Sequence, residues 1–315
     1  MSKTMRYLGY ALLFIVSFKI FLVVTFPFNV LKESMLIEFN RSTGLNASAK
    51  EMSLSFPLGV ELHNVGLRNT AGGQLQFALI DVTVNPLRLL LGQIAANLTI
   101  EDEASNPLSL AASVSISQLL NAARSGGSVL PSYLRIAANQ YQLGSLANYA
   151  LQTYTNSPKA NQLVAPLLKQ VSLTGQFVSD TTLELDSGDL ANSKGEIKLN
   201  IENLSFAIDS PDLDLEAQQF KTANISAALA EGTLTFAEGS SAFTAQDIAV
   251  EVDGAINLKT PINSSSMALE VPVQIKGALQ DQFGFLITSL LGGGTDGLIP
   301  LKIRGTFARP HVSYR

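Results

Sequence analysis

The chain has 315 residues, of which 46% are hydrophobic and only 15% charged, with a net charge of −5. The absence of cysteine excludes disulfides, thiolate metal sites and a cysteine nucleophile, and two histidines, His63 and His311, are too few for a histidine-rich metal centre. The mild negative charge and the lack of any basic block exclude a nucleic-acid partner.

Residues 7–28, YLGYALLFIVSFKIFLVVTFPF, form a 22-residue apolar stretch whose only side chain charged at neutral pH is Lys19. At about 1.5 Å per residue a helix of this length reaches about 33 Å, enough for the hydrocarbon core of a bilayer. Its fourteen Leu, Ile, Val and Phe residues each favour insertion by about 0.3–0.6 kcal/mol, roughly 4–8 kcal/mol together. That exceeds the cost of about 2.5–3.5 kcal/mol for a central lysine, so insertion is predicted. A cleaved signal has a shorter apolar core and a small-x-small site, whereas this stretch leaves through TFPFN. An uncleaved transmembrane anchor is therefore expected. Lys3 and Arg6 precede it with no acid, which places residues 1–6 in the cytoplasm and everything after Phe28 on the far side. Lys19 has two readings: a lysine tolerated by snorkelling, or a contact to an acidic or polar group of another membrane helix.

Pro27 ends or kinks the span, and an amphipathic helix is predicted over residues 29–44. Asn29 suits its N-cap, Leu31, Met35 and Phe39 recur along one stripe, and Gly44 suits a left-handed C-cap. From Leu45 the period becomes two. Met52, Leu54 and Phe56 alternate with serines, Val60 and Leu62 continue the pattern, and Val82 and Val84 alternate before the corner PLRLLLG. Residues 116–170 read as a mostly helical insert, in which ISQLLNAARSGG ends at a glycine pair and LGSLANYALQTYTNSPK ends before Pro158.

Alternation is cleaner beyond the insert, in Ile197, Leu199 and Ile201, in Ala223 to Leu229, and in Met267, Leu269, Val271, Val273 and Ile275. Strict alternation means strands with one apolar and one polar face, the pattern of antiparallel sheet. The register slips at Glu202-Asn203 and at Asp247-Ile248, where bulges or corners are expected. KGEIKLN, EGTLTFA, DGAINLK and RGTF form a weak, irregularly spaced recurrence that predicts hairpin after hairpin. The fold class is thus mainly β with a few helices: an N-terminal transmembrane helix, then a long curved antiparallel sheet over residues 45–315.

No constellation for catalysis, metal binding or a cofactor emerges. GGGTDG at Gly292 lacks the Lys-Ser/Thr of a phosphate loop. Asp209, Asp212, Asp214 and Glu216 lack the spacing and central glycine of a calcium loop. Glu101, Asp102 and Glu103 read as a solvated turn, and His63 as a residue of a strand's polar face. What remains is the apolar face, which must be covered by another layer, a partner or lipid.

The order of features resembles the AsmA-like superfamily of envelope proteins. The resemblance lies in the span ending TFPFNVLKE, the helix ending STGLN, the strand pair EMSLSFPLGVELHNVGLRN and the corner PLRLLLG. The ending IPLKIRGTFARPHVSYR is similar to that superfamily's closing strand pair, with a Gly-Thr turn, and within the superfamily to the AsmA-like type II secretion system protein N. The resemblance implies a Gram-negative inner-membrane anchor, a periplasmic β-rich domain curled into a trough able to hold acyl chains, and no catalytic residues. Two functions follow from it. One is an accessory subunit of the type II secretion system, contacting other subunits. The other is a protein that binds or transfers phospholipid or lipopolysaccharide-type lipid between the membranes. For the lipid reading, the groove lining is expected from Phe56, Val82, Leu199, Ile201, Leu269, Val271 and Val273.

Overall fold

The computed structural model of the chain describes residues 13, 17, 27–55, 58–125, 130–157, 165–186, 190–209, 216–281, 284 and 297–313. These residues build one antiparallel sheet of seventeen strands. Its first part is a meander in which each strand pairs with the next: β1 (Asn46–Ser55), β2 (Gly59–Arg68), β3 (Gln74–Val84), β4 (Gln93–Glu101) and β5 (Pro107–Ser115). It continues through β6 (Tyr133–Gln142), β7 (Val171–Glu184) and β8 (Lys194–Ile208).

Beyond β8, single rows of the sheet are assembled from two short strands. β9 (Gln218–Gln219) and β10 (Thr222–Ala230) both pair with β8. β11 (Thr233–Phe236) and β12 (Ala242–Thr244) share β10, and β13 (Ile248–Glu251) and β14 (Asp253–Asn257) share β15 (Ser266–Ile275). β16 (Leu298–Thr306) and β17 (Arg309–Ser313) complete the sheet. The break between β11 and β12 costs little hydrogen bonding because serine replaces backbone there. The buried Ser241 hydroxyl accepts from Ser226 N–H at 2.9 Å and donates to Ser226 C=O at 3.0 Å.

The expected slips are present. Asn203 has φ 52° where the β7–β8 register shifts, and Ala245 N–H bonds Ile248 C=O across the corner before β13. The glycine recurrence has a different basis from the predicted one. Only Glu231-Gly232 is a two-residue turn, with φ 51° and 71°. Gly254 lies inside β14, where a Cβ would collide with the backbone of Ala268 on β15. Gly305 lies inside β16, opposite Pro310, so the last hairpin turns at Phe307-Ala308 and not at Gly-Thr.

The first described helix, α1, is Phe28–Thr43, capped at its end by Gly44 in the left-handed conformation as expected. Its N-cap is Pro27 and not Asn29. The docking stripe differs in part: Leu31 is half-buried as expected, but Met35 and Phe39 are exposed, and Phe28, Lys32, Leu36 and Asn40 are the other residues turned inward. The reason is polar. Asn40 accepts from Ala47 N–H at 2.6 Å and donates to Ala47 C=O at 3.3 Å, while Lys32 Nζ donates to Lys50 C=O. These bonds satisfy the free edge of β1, and selecting them rotates the helix away from its apolar stripe. At the opposite edge, Pro310 in β17 removes one donor.

The stretch 116–170 holds the expected helices, but a strand of the sheet interrupts them. Helix α3 is Ile116–Ser125, but β6 follows it, and only then come α4 (Leu143–Thr155) and α5 (Ala165–Leu168). A further short helix between β3 and β4, α2 (Pro86–Leu90), forms the PLRLLLG corner. Among the described residues no helix is long and apolar enough to cross a membrane. The predicted anchor at residues 7–28, Lys19 included, lies outside the described residues except for 13, 17, 27 and 28.

Helix α4 places the packed core. It leaves β6 beside β7 and ends at the β2–β3 turn, where Asn69 bonds Thr153 and Asn156 Nδ2 donates to Ala71 C=O at 2.9 Å. Its 13 residues span about 20 Å, which matches four inter-strand steps of about 4.8 Å from β3 to β7. The helix therefore lies across the strands, near the margin that holds the β2–β3 and β4–β5 turns. Leu146 packs against two buried clusters there, Val65–Leu75–Phe77 and Ala138–Tyr141–Phe177.

Candidate functional site

Strand register aligns apolar residues across nearly the whole sheet. One line of directly opposed partners runs Val84, Ala96, Ala112, Leu134, Leu183 and Gly195 from β3 to β8. It continues through Leu229, Leu234, Ile256, Met267, Gly305 and Pro310 to β17. A neighbouring line holds Val60, Val82, Leu98, Leu110 and Ile136 in β2 to β6, and Phe236, Gly254, Leu269, Ile303 and Val312 in the later strands. No ionisable side chain enters either line.

The other face is polar. Arg135–Asp180 at 3.2 Å, Lys194–Glu184 at 3.1 Å, Lys198–Glu196 at 2.8 Å and Lys302–Glu270 at 3.0 Å all stand on it. His63 is there too, 3.8 Å from Glu61. Being exposed, these pairs contribute little stability, but they keep that face wet. A cleft of about 470 Å³ on the polar face is lined by Asn85, Arg88, Gln93, Asn97, Tyr133 and Glu184 among others. It brings no nucleophile to a base.

The apolar face is only partly covered. Its residues are buried beneath α4 and again at Ala227, Leu229, Ile256 and Ile299 on the later strands, but Val82 is 40% exposed, and Leu98, Leu110, Ile136, Ile197 and Leu269 are only half-buried. Of the expected lining residues, Val82, Leu199, Ile201, Leu269, Val271 and Val273 share this face, on β3, β8 and β15. Leu199 and Ile201 also pack against the Ala138–Tyr141–Phe177 cluster, so they belong partly to the core. Phe56 lies outside the described residues. Two hydroxyls interrupt the face on β7, and neighbouring backbone satisfies both: Ser179 Oγ donates to Lys198 C=O at 3.1 Å, and Thr181 Oγ1 accepts from Lys198 N–H at 3.3 Å.

Asp102 corrects the solvated-turn reading. It is buried, with one carboxylate oxygen accepting from Ala104 and Asn106 N–H, both at 2.9 Å, and the other from Gln142 N–H at 3.0 Å. The β4–β5 turn is thereby tied to the start of α4, where a negative charge suits the helix dipole. Only the Asp-x-x-x-Asn spacing hinted at such a turn, because the Gln142 contact is 40 residues away.

Burial, and then the charge of Asp102, push the phenol of Tyr141 up from 10.0 to about 12. With the folded-state value the higher, this contribution to stability is complete below pH 10 and is lost as pH rises through 12. Tyr141→Phe is therefore expected to flatten the fall in unfolding free energy between pH 10 and 12, measured by urea titration at each pH. Parallel curves for variant and parent would exclude the linkage.

Among the described residues no group of three His, Asp or Glu side chains could hold a metal ion. Asp212, Asp214 and nearly all of GGGTDG lie outside the described residues. No family model, curated protein or solved structure matches the chain.

Proposed function

We propose that the chain is a membrane-anchored, non-catalytic envelope protein whose apolar sheet face holds lipid acyl chains. The observation that carries this reading is the register line from Val84 to Pro310, apolar on every strand it crosses, half-buried on most of them and buried at Leu229 and Ile256, with Val82 standing 40% exposed beside it. A protein partner would favour a mixed surface, since protein interfaces carry about one hydrogen bond per 100–200 Å². The aliphatic side chains of this line offer none, as suits a hydrocarbon chain. An open sheet with so many twisted strands curls, which favours the AsmA-like trough as its shape. The anchor at residues 7–28 then places the domain in the periplasm, on the inner membrane, with phospholipid or lipopolysaccharide-type lipid as its cargo.

The similarity of IPLKIRGTFARPHVSYR to the closing strands of the AsmA-like type II secretion system protein N supports a second reading. In it the protein serves that secretion system through contacts with other subunits or lipid, and Lys19 is a candidate contact within the membrane. Native mass spectrometry of the full-length chain released from its own membrane tests the lipid reading: retained lipid adducts are expected, and a bare chain would sink it. A deletion strain that still exports its normal exoproteins would remove the secretion reading while leaving the first intact.

A further inference from the structure

The two margins of the sheet differ in chemistry. The margin under α4 carries the polar turns Asn69–Gly73 and Asp102–Asn106. The opposite margin carries leucines: Leu58 is 54% exposed, Leu87 71%, Leu90 84%, Leu91 76%, and Leu120 on α3 53%. They are held in place by backbone and side-chain hydrogen bonds. Asn85 Oδ1 accepts from Leu87 and Arg88 N–H and so caps α2. Val84 N–H donates to Leu58 C=O at 2.8 Å, and Ile116 N–H donates to Gly92 C=O at 2.9 Å. Leu58, α2 and α3 thus form one fixed apolar ridge, and α2 has no buried residue.

The course of α1 indicates what covers this ridge. Asn40 bonds Ala47 and Lys32 bonds Lys50, so α1 runs antiparallel to β1 and begins on the Leu58 side. The 22 apolar residues 7–28 therefore join the domain at the leucine margin, where Val30 in the first turn of α1 is also exposed. Resting on the anchor reading above, we propose that the margin built from Leu58, α2 and α3 lies in the lipid–water interface of the anchoring membrane, with its leucines among the acyl chains. This orientation sets Val84, the start of the apolar register line, at lipid level. A hydrocarbon chain leaving the bilayer then meets the apolar face without crossing water.

The chain has no cysteine, so single cysteines can report position. Leu90→Cys, Glu103→Cys on the α4 margin and Val23→Cys in the anchor would each carry an environment-sensitive fluorophore. Each full-length variant would be reconstituted in phosphatidylethanolamine–phosphatidylglycerol vesicles with a nitroxide on the acyl chains. Quenching at Leu90 is expected to be several-fold greater than at Glu103 and comparable with Val23. If Leu90 is quenched no more than Glu103 while Val23 is quenched, the anchor stands and the interfacial ridge is overturned. If Val23 also escapes quenching, the anchor reading fails and the ridge proposal fails with it.

Discussion

Val82→Glu combined with Leu269→Glu is expected to abolish lipid retention by the full-length chain while leaving its far-ultraviolet circular dichroism unchanged. Val82 is 40% exposed and opposed by Val60 and Leu98, and Leu269 is opposed by Gly254 and Ile303. Each methylene of a bound acyl chain gains about 0.8 kcal/mol by leaving water. A carboxylate pressed against that chain loses several kcal/mol of hydration, more than the few methylenes it touches contribute. Without lipid the same carboxylates reach water, because Val82 is exposed and Leu269 only half-buried, so the fold survives. Asn200→Glu, on the exposed polar face of β8, serves as the control and should keep its lipid. Lipid adducts that persist in the double variant would show that the apolar lines are not the site.

Phe177→Ala should destabilise the chain by about 3–5 kcal/mol, the usual cost of removing a buried aromatic ring. Phe177 is 8% exposed, its ring centroid lies 5.3 Å from that of Tyr141, and its cluster includes Leu143 and Leu146 of α4. The substitution removes the surface on which α4 begins, so hydrogen exchange along α4 should rise together with the loss of stability. Chemical denaturation checks the magnitude. A loss below about 1 kcal/mol would mean that α4 is held by its polar ends at Asn69 and Asp102 and not by its apolar side.

The alternation at residues 194–201 and 266–275 was legible because side-chain direction along a strand is a local property with a period of two. The same pattern named six described residues, expected as groove lining, that the register places on one face. β6 was misread because YLRIAANQYQ is rich in residues tolerant of helix. Its Leu134, Ile136 and Ala138 alternate over too few residues to outvote that composition until β5 and β7 pair with them. Asp102 was misread for a related reason: its decisive partner, Gln142, is remote in sequence.

Composition and period alone thus determined a mainly β chain with one apolar and one polar face, an apolar N-terminal stretch, and the lack of cysteine chemistry. Tertiary structure decided which part of the apolar face is covered. That depends on α4 crossing from β7 to the β2–β3 turn, on Asn40 turning α1 toward the β1 edge, and on Leu58, α2 and α3 meeting in one leucine margin. These contacts join residues far apart in the chain, and periodicity carries no information about them.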